Sequence, residues 1–326
     1  QMCIRDRGER AGVALPQTSM SEEDRKERGI RDRLLEINKI AATYYYRQLR
    51  SENGKAGLDY LKKRELSDST INSFGLGYAT QSTGNLYKLL KDKGYDDDIL
   101  KESGLFTYER GIHEKFWNRV IFPIMDINNK VIGFGGRVMG DAKPKYLNSP
   151  ETRLFDKSRN LYGLNIARTS RKPNMIICEG YMDVISMHQA GFNQAVASLG
   201  TALTPGHARL LKRYTDNVLI TYDSDEAGVK AALRAIPILK EAGLSTKVIN
   251  MRPYKDPDEF IKAMGAEAFQ ERIDNAENSF MYEIGTMLRN YDRGDPESET
   301  AFEREVAAKL VTFKEKLERD NYLKAV

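Results

Sequence analysis

Cysteine and histidine are scarce in this chain: two of the first, Cys3 and Cys178, and three of the second, His113, His188 and His207, in 326 residues. With no Cys-x-x-Cys pair, neither a disulfide framework nor a four-ligand zinc site can be assembled. The histidines show no metal-ligand spacing; His188 reads as a helix residue and the other two as surface or loop positions. No stretch approaches the roughly 20 uninterrupted apolar residues of a membrane span, and the start lacks the charged-then-apolar layout of a signal peptide. A cytoplasmic protein that meets no membrane is the expectation. A Walker-type phosphate loop is also missing, which argues against a motor ATPase. Repeats, low-complexity tracts and heptad runs are absent as well. Charge of one sign does not dominate: 51 basic and 47 acidic residues leave a net +4, a balance that selects no partner class by itself.

What the chain does have is apolar content of 40%, enough for two or three domains with real cores. Residues 1–20 mix Gly, Pro and charge without periodicity and read as a disordered lead-in or linker. Ser21 with Asp24 has the spacing of a capping box, and Ile30, Leu34, Leu35, Ile37, Ile40, Ala41 and Tyr44 follow at helical spacing. Residues 57–78 read as helix, loop, helix and a glycine-punctuated strand, and 86–93 and 98–103 as short helices. Two β-rich stretches, 116–126 and 130–139, flank the turn-like Ile127-Asn128-Asn129, which predicts a hairpin. From Met175 strands at 175–179, 194–198, 217–222 and 246–251 alternate with helices at 181–190, 204–213, 225–242 and 257–263. That rhythm predicts a parallel sheet with helices on both faces. Beyond Ala266 the pattern is helical and charge-laced, and with no stop signal at Val326 the natural protein is expected to continue.

Three of the predicted strand ends carry acid. Met175-Ile176-Ile177-Cys178 delivers Glu179; the strand through Tyr222 delivers Asp223 and Asp225; the next leads to Asp256 and Asp258. In open parallel sheets sites form at such carboxyl ends. Asp223 and Asp225, like Asp256 and Asp258, stand two apart, so their side chains can point the same way. Asp183 lies one helical turn after Glu179. Crowded carboxylates raise one another's pKa unless cations neutralise them. Hard divalent ions are the natural partners, Mg²⁺ taking one or two carboxylates, waters and phosphate oxygens, and the expected chemistry is phosphoryl transfer. Each piece has a blander reading: Asp-x-Asp is commonly a turn or helix cap, and Asp-Pro-Asp-Glu is a good helix start. The coincidence of three acidic strand ends favours the site. Cys178, inside the strand, reads as a small core residue.

Glu179-Gly180-Tyr181-Met182-Asp183, Asp223-Ser224-Asp225 and Asp256-Pro257-Asp258 stand in the order and spacing of the TOPRIM domain. With Ala197-Ser198-Leu199-Gly200-Thr201 between the first two, the wording resembles the bacterial replicative DNA primases of the DnaG type. Arg119-Val120-Ile121-Phe122-Pro123-Ile124, Gly133-Phe134-Gly135-Gly136-Arg137-Val138 and the run Lys145 to Thr152 also resemble that family's basic polymerase-core motifs. The likeness runs from about Arg33 to the end.

The resemblance implies an α/β protein (α+β overall). Its parts would be a basic α/β amino-terminal subdomain over 21–172, a Rossmann-like TOPRIM parallel sheet with flanking helices over 173–264, and a helical subdomain over 265–326, truncated in this chain. It implies an RNA polymerase that copies single-stranded DNA into short primers from ribonucleoside triphosphates, giving an RNA primer–DNA hybrid. Glu179, Asp223 and Asp225 would be the catalytic, metal-binding acids, Glu179 the general base, with Asp183, Asp256 and Asp258 completing the metal site. Arg119, Arg137, Lys145, Tyr146, Asn148 and Lys157 would bind nucleotide or template. Mg²⁺ is the expected cofactor, replaceable by Mn²⁺; zinc is not expected. Trp117 stands where the family often has another basic residue. The family's zinc module and its carboxy-terminal domain for the replicative helicase are not recognised here, so the catalytic core alone is expected, working at the bacterial replisome. The same fold also serves DNA cleavage in topoisomerases and nucleases, and a non-catalytic single-strand binder is the third reading.

Overall fold

The computed structural model describes residues 21–109 and 111–326, so the expected lead-in over 1–20 lies outside the described residues. The first long helix, α1 (Glu22–Leu49), opens on the predicted capping box: Asp24 N–H donates to Ser21 Oγ at 3.0 Å and Ser21 N–H returns to Asp24 Oδ2 at 3.3 Å. Its buried stripe, Leu34, Ile37, Ala41, Tyr45 and Leu49, keeps helical spacing. Helices α2 (Lys55–Lys63) and α3 (Asp68–Ser73) lead into β1 (Gly77–Ala79), followed by α4 (Asn85–Asp92), α5 (Asp97–Glu102) and the small hairpin of β2 (Phe106–Thr107) and β3 (His113–Glu114). The predicted larger hairpin is β4 (Arg119–Met125) with β5 (Val131–Val138), and β6 (Tyr146–Asn148) completes an antiparallel sheet of order β1-β4-β5-β6. The stripe of α1 lies so close to this sheet that a Cβ on Gly77 would stand 2.6 Å from Tyr45 Cβ. Tyr45 meets Phe116 and Phe134 edge-on.

After α6 (Leu164–Ala167) the chain alternates as expected: β7 (Met175–Cys178), α7 (Tyr181–Gln189), β8 (Ala195–Ala197), α8 (Pro205–Lys212), β9 (Asn217–Thr221), α9 (Glu226–Glu241), β10 (Ser245–Val248) and α10 (Pro257–Asp274). Strands β10, β9, β7 and β8 pair in parallel. Alternation along them feeds two cores: Ile176, Cys178 and Leu219 face α7 and α10, while Met175, Ile177, Val218 and Ile220 face α8 and α9. Cys178 is fully buried, as expected of a core residue.

Two features were not legible. The two-residue strand β11 (Glu277–Asn278) pairs antiparallel with β10 and extends the sheet. Helix α10 continues past the predicted 263 to Asp274 across a break at Gly265, whose φ of +84° suits glycine. Helices α11 (Ser279–Leu288), α12 (Pro296–Val311) and α13 (Lys316–Ala325) close the chain around Phe280, Ile284, Phe302, Val306 and Leu310.

The two sheets share one core. Val120, Phe122 and Ile124 of β4 join Tyr181, Met182, Val184 and Ile185 of α7 in one hydrophobic cluster that also takes in Phe260 and Phe269 of α10. Phe122 stacks on Tyr181 at 4.8 Å between ring centres. A Cβ on Gly135 would stand 2.4 Å from that tyrosine's ring, so β5 needs glycine to let it in. No described helix is long and apolar enough to cross a membrane.

Candidate active site

Each acidic strand end is set by its own strand and the helix behind it. Glu179 follows β7 and accepts the backbone N–H of Asp223 at 3.0 Å, which ties the ends of β7 and β9 together. Lys255 O accepts from Ser224 N–H at 2.8 Å, which adds the loop between β10 and α10. Asp183, in the first turn of α7, accepts from Gly180 N–H at 3.0 Å and is buried. Asp256 caps α10, accepting from Glu259 N–H at 2.8 Å, with Pro257 at the first helical position. The bland reading of Asp-Pro-Asp-Glu as a helix start therefore holds, and the cap also faces the site.

These ends open onto a cavity of about 730 Å³, with Glu179, Asp183, Asp223, Asp256 and Asp258 on its wall. Asp225 is not among its lining residues. Its Oδ1 accepts from Gly228 N–H at 2.9 Å and caps α9, so the two members of Asp-Ser-Asp point to different tasks. Burial pushes the Glu179 and Asp223 carboxyls above the usual range, against the pull of the Asp223 N–H on the first and of Lys255 on the second. Burial raises Asp183 much further, with Asp256 and Asp223 adding repulsion. These crowded carboxyls are oxygen donors, the type that hard divalent cations take, and a cation there would favour their charged form. Among the described residues no three or more His, Cys, Asp or Glu side chains stand close enough together, as placed, to hold a metal ion.

The basic residues divide. Arg137 and Lys145 line the cavity with Tyr146 and Asn148. The Arg137 guanidinium lies 4.3 Å from the centre of the Tyr60 ring. Asn148 donates to Leu199 O at 2.9 Å and accepts from Tyr181 OH at 2.7 Å, so it braces the loop after β8. Arg119 and Lys157 do not line the cavity. Arg119 is buried, and its Nη1 donates to the carbonyls of Gly136 at 3.1 Å and Pro144 at 3.0 Å, which pins the segment between β5 and β6. Lys157 stands beside Lys115, whose ammonium is lowered by burial and by that neighbour. Trp117 is 44% exposed and donates to Gln81 O at 2.8 Å. His207, read from the sequence as a surface or loop position, is fully buried near the start of α8. Its Nδ1 accepts from Thr204 N–H, 3.2 Å away, and its Nε2 lies 2.7 Å from Lys157 O, so it is a structural brace.

Sequence reasoning missed Arg64, Lys255, Lys262 and Tyr60, all on the cavity wall. Arg64 lies 194 residues from its partner Asp258, and no local pattern announces it. Lys255 and Lys262 had a weaker signal, since both flank the Asp256–Asp258 motif.

Comparison with known proteins agrees with this geometry. Residues 44–168 match the family model of the DNA primase catalytic core, N-terminal domain, and residues 176–261 match the Toprim-like model. A DNA primase of Clostridium acetobutylicum is 45% identical over 297 residues, which cover 90% of this chain and 49% of the relative. The chain thus spans about half the length of the curated relatives it matches first. Among solved structures, the DnaG primase catalytic domain bound to ssDNA aligns with a TM-score of 0.79 at 33% identity, covering 90% of this chain and 94% of the other. The RNA polymerase domain of Mycobacterium tuberculosis primase DnaG aligns at 0.81 and 29% identity, covering 90% and 97%. An acid-edged parallel sheet facing a basic antiparallel one, shared over nearly the whole of these catalytic domains, makes this chain a member of the DnaG-type bacterial DNA primase family.

Proposed function

We propose that this chain is a polymerising core that joins ribonucleotides into short RNA primers on single-stranded DNA during chromosome replication. The observation that carries the reading is one cavity with carboxylates from three strand ends on one side and Arg64, Arg137, Lys145, Lys255 and Lys262 around them. Acids alone would repel a triphosphate; the added cations make the cleft receptive to phosphate. Glu179, Asp183, Asp223 and Asp256 are the donors for divalent cations, Mg²⁺ or in its place Mn²⁺. When bound, such ions polarise the attacking hydroxyl and screen the triphosphate charge. Glu179, with its raised carboxyl, is the candidate to accept the proton of the primer's terminal hydroxyl, and Asp223 is held facing it. Asp225 contributes by fixing the end of β9. Arg137 and Lys145 hold triphosphate or template, and the exposed face of Tyr146 can stack on a base. A single-stranded template is supported by the related catalytic domain solved with ssDNA.

The test is synthesis from labelled ribonucleotides on single-stranded DNA, with and without Mg²⁺ or Mn²⁺. Metal-dependent, template-directed RNA that Asp223→Ala and Glu179→Ala abolish is the expected result. Cut template would turn the reading to a nuclease, and tight template binding with no product would turn it to a binding module.

A further inference from the structure

Asp258 differs from the other acids of the cavity in already having its charge met. It is 3% exposed. Its Oδ1 accepts from Ser186 Oγ of α7, and its Oδ2 from Arg64 Nη2 and from Lys262 Nζ at 3.0 Å. Asp223, by contrast, meets one well-exposed lysine, Lys255, at 3.3 Å. A divalent ion approaching Asp258 would have to displace two cations and a hydroxyl in a poorly solvated corner, where stranding those cations is costly. Arg64 and Lys262 nevertheless both line the cavity. Arg64 Nε is buried with no hydrogen-bond partner. Tyr60 feels Arg137 and Arg64 together, so the two guanidinium groups share one wall.

We infer that Asp258 is a positioning residue and not a metal ligand: it holds Arg64 and Lys262 in place to grip the phosphates of the incoming ribonucleotide. The inference rests on the nucleotidyl-transfer reading of the same cavity. Arginine at a fixed angle can give a phosphate two donors, which is why its anchoring matters. The two functions therefore separate along the Asp-Pro-Asp motif, Asp256 to the metal side and Asp258 to the cationic side.

The test measures Mn²⁺ binding by electron paramagnetic resonance, and kcat and KM for ribonucleotides, in the whole chain. Asp258→Asn should leave Mn²⁺ affinity within about threefold of wild type, while Asp223→Asn weakens it about tenfold or more, and the KM for ribonucleotide should rise about tenfold with kcat much less affected. Arg64→Ala should reproduce the rise in KM, and adding Asp258→Asn to it should change little further, because the two act through one contact. Loss of Mn²⁺ affinity in Asp258→Asn comparable to that in Asp223→Asn would overturn the inference, as would multiplying effects in the double variant. If Asp258→Asn does not fold, Arg64→Ala decides: an unchanged KM overturns the inference and a raised KM with unchanged Mn²⁺ affinity supports it. Failure of the wild type to make template-directed product would instead sink the nucleotidyl-transfer reading, a result distinct from any of these.

Discussion

Asp225 illustrates how one side chain can serve the site without lining it. Its carboxylate caps α9 while Gly228, one turn in, lets the helix approach Asp223 so closely that a Cβ would meet the Asp223 carbonyl oxygen at 2.1 Å. Asp225→Ala should cost about 1 kcal/mol of stability in chemical denaturation, whereas Asp225→Asn, still a good cap, should cost only a few tenths. A difference in Mn²⁺ binding between Asp225→Asn and wild type would show whether its charge is felt at the site as well. Spacing alone lets both aspartates of Asp-Ser-Asp point the same way in an extended or turning segment. The backbone instead turns into a helix at the second, and the capping reading, also available from the residues, describes it. Arg119 has a similar lesson. The family resemblance makes it a binder of nucleotide or template, and in β4 its Nη1 donates to the carbonyls of Gly136 and Pro144. Basic residues are abundant here, and only tertiary placement tells Arg64 from the rest.

At the scale of single elements, β7 and β9 were legible because each is a short apolar run with acid just past its end, while β10, Ser-Thr-Lys-Val, was legible from its place in the strand–helix rhythm. Strand β11 was not, since two residues carry no period, and neither was the packing of α8. That helix begins at Thr204-Pro205, a readable start, yet the ring of His207 behind it sits wholly inside, with Nδ1 accepting and Nε2 facing a carbonyl. Burial lowers its pKa, as it does that of His188. A group held neutral in the folded state gives stability that is fully present above its unfolded pKa and is lost as pH falls through about 6.5 toward its lower folded value. Denaturation midpoints should therefore drop between about pH 6.5 and 5, and His207→Gln should flatten part of that slope. In β5 the packing of Tyr181 against Gly135 predicts that Gly135→Ala displaces the tyrosine and with it the Asn148 contact, lowering activity more than the change in melting temperature alone would explain. The glycine itself was visible in the Gly-Phe-Gly-Gly motif; its reason, an aromatic ring arriving from 46 residues later, was not.

Across the whole molecule the two family-model segments end and begin at residues 168 and 176, and the chain's hydrophobic cluster ignores that gap. Leu49, Val120 and Phe122 pack in the same cluster as Ile176, Tyr181 and Phe269. Heat or denaturant should then unfold residues of both sheets in one transition, followed by hydrogen exchange on β4 and β7 together. Two separate transitions would show that the shared cluster contributes little. Residues 176–261 expressed alone should expose the apolar face of α7 and aggregate. Tyr181, on the cavity wall, stacks on Phe122 and so ties the wall of the parallel sheet to the antiparallel one. A fluorophore pair set across the cleft should accordingly keep a constant separation while ribonucleotides are added. On the reading proposed above, nucleic acid would advance by sliding across a cleft whose two walls stay tied to each other.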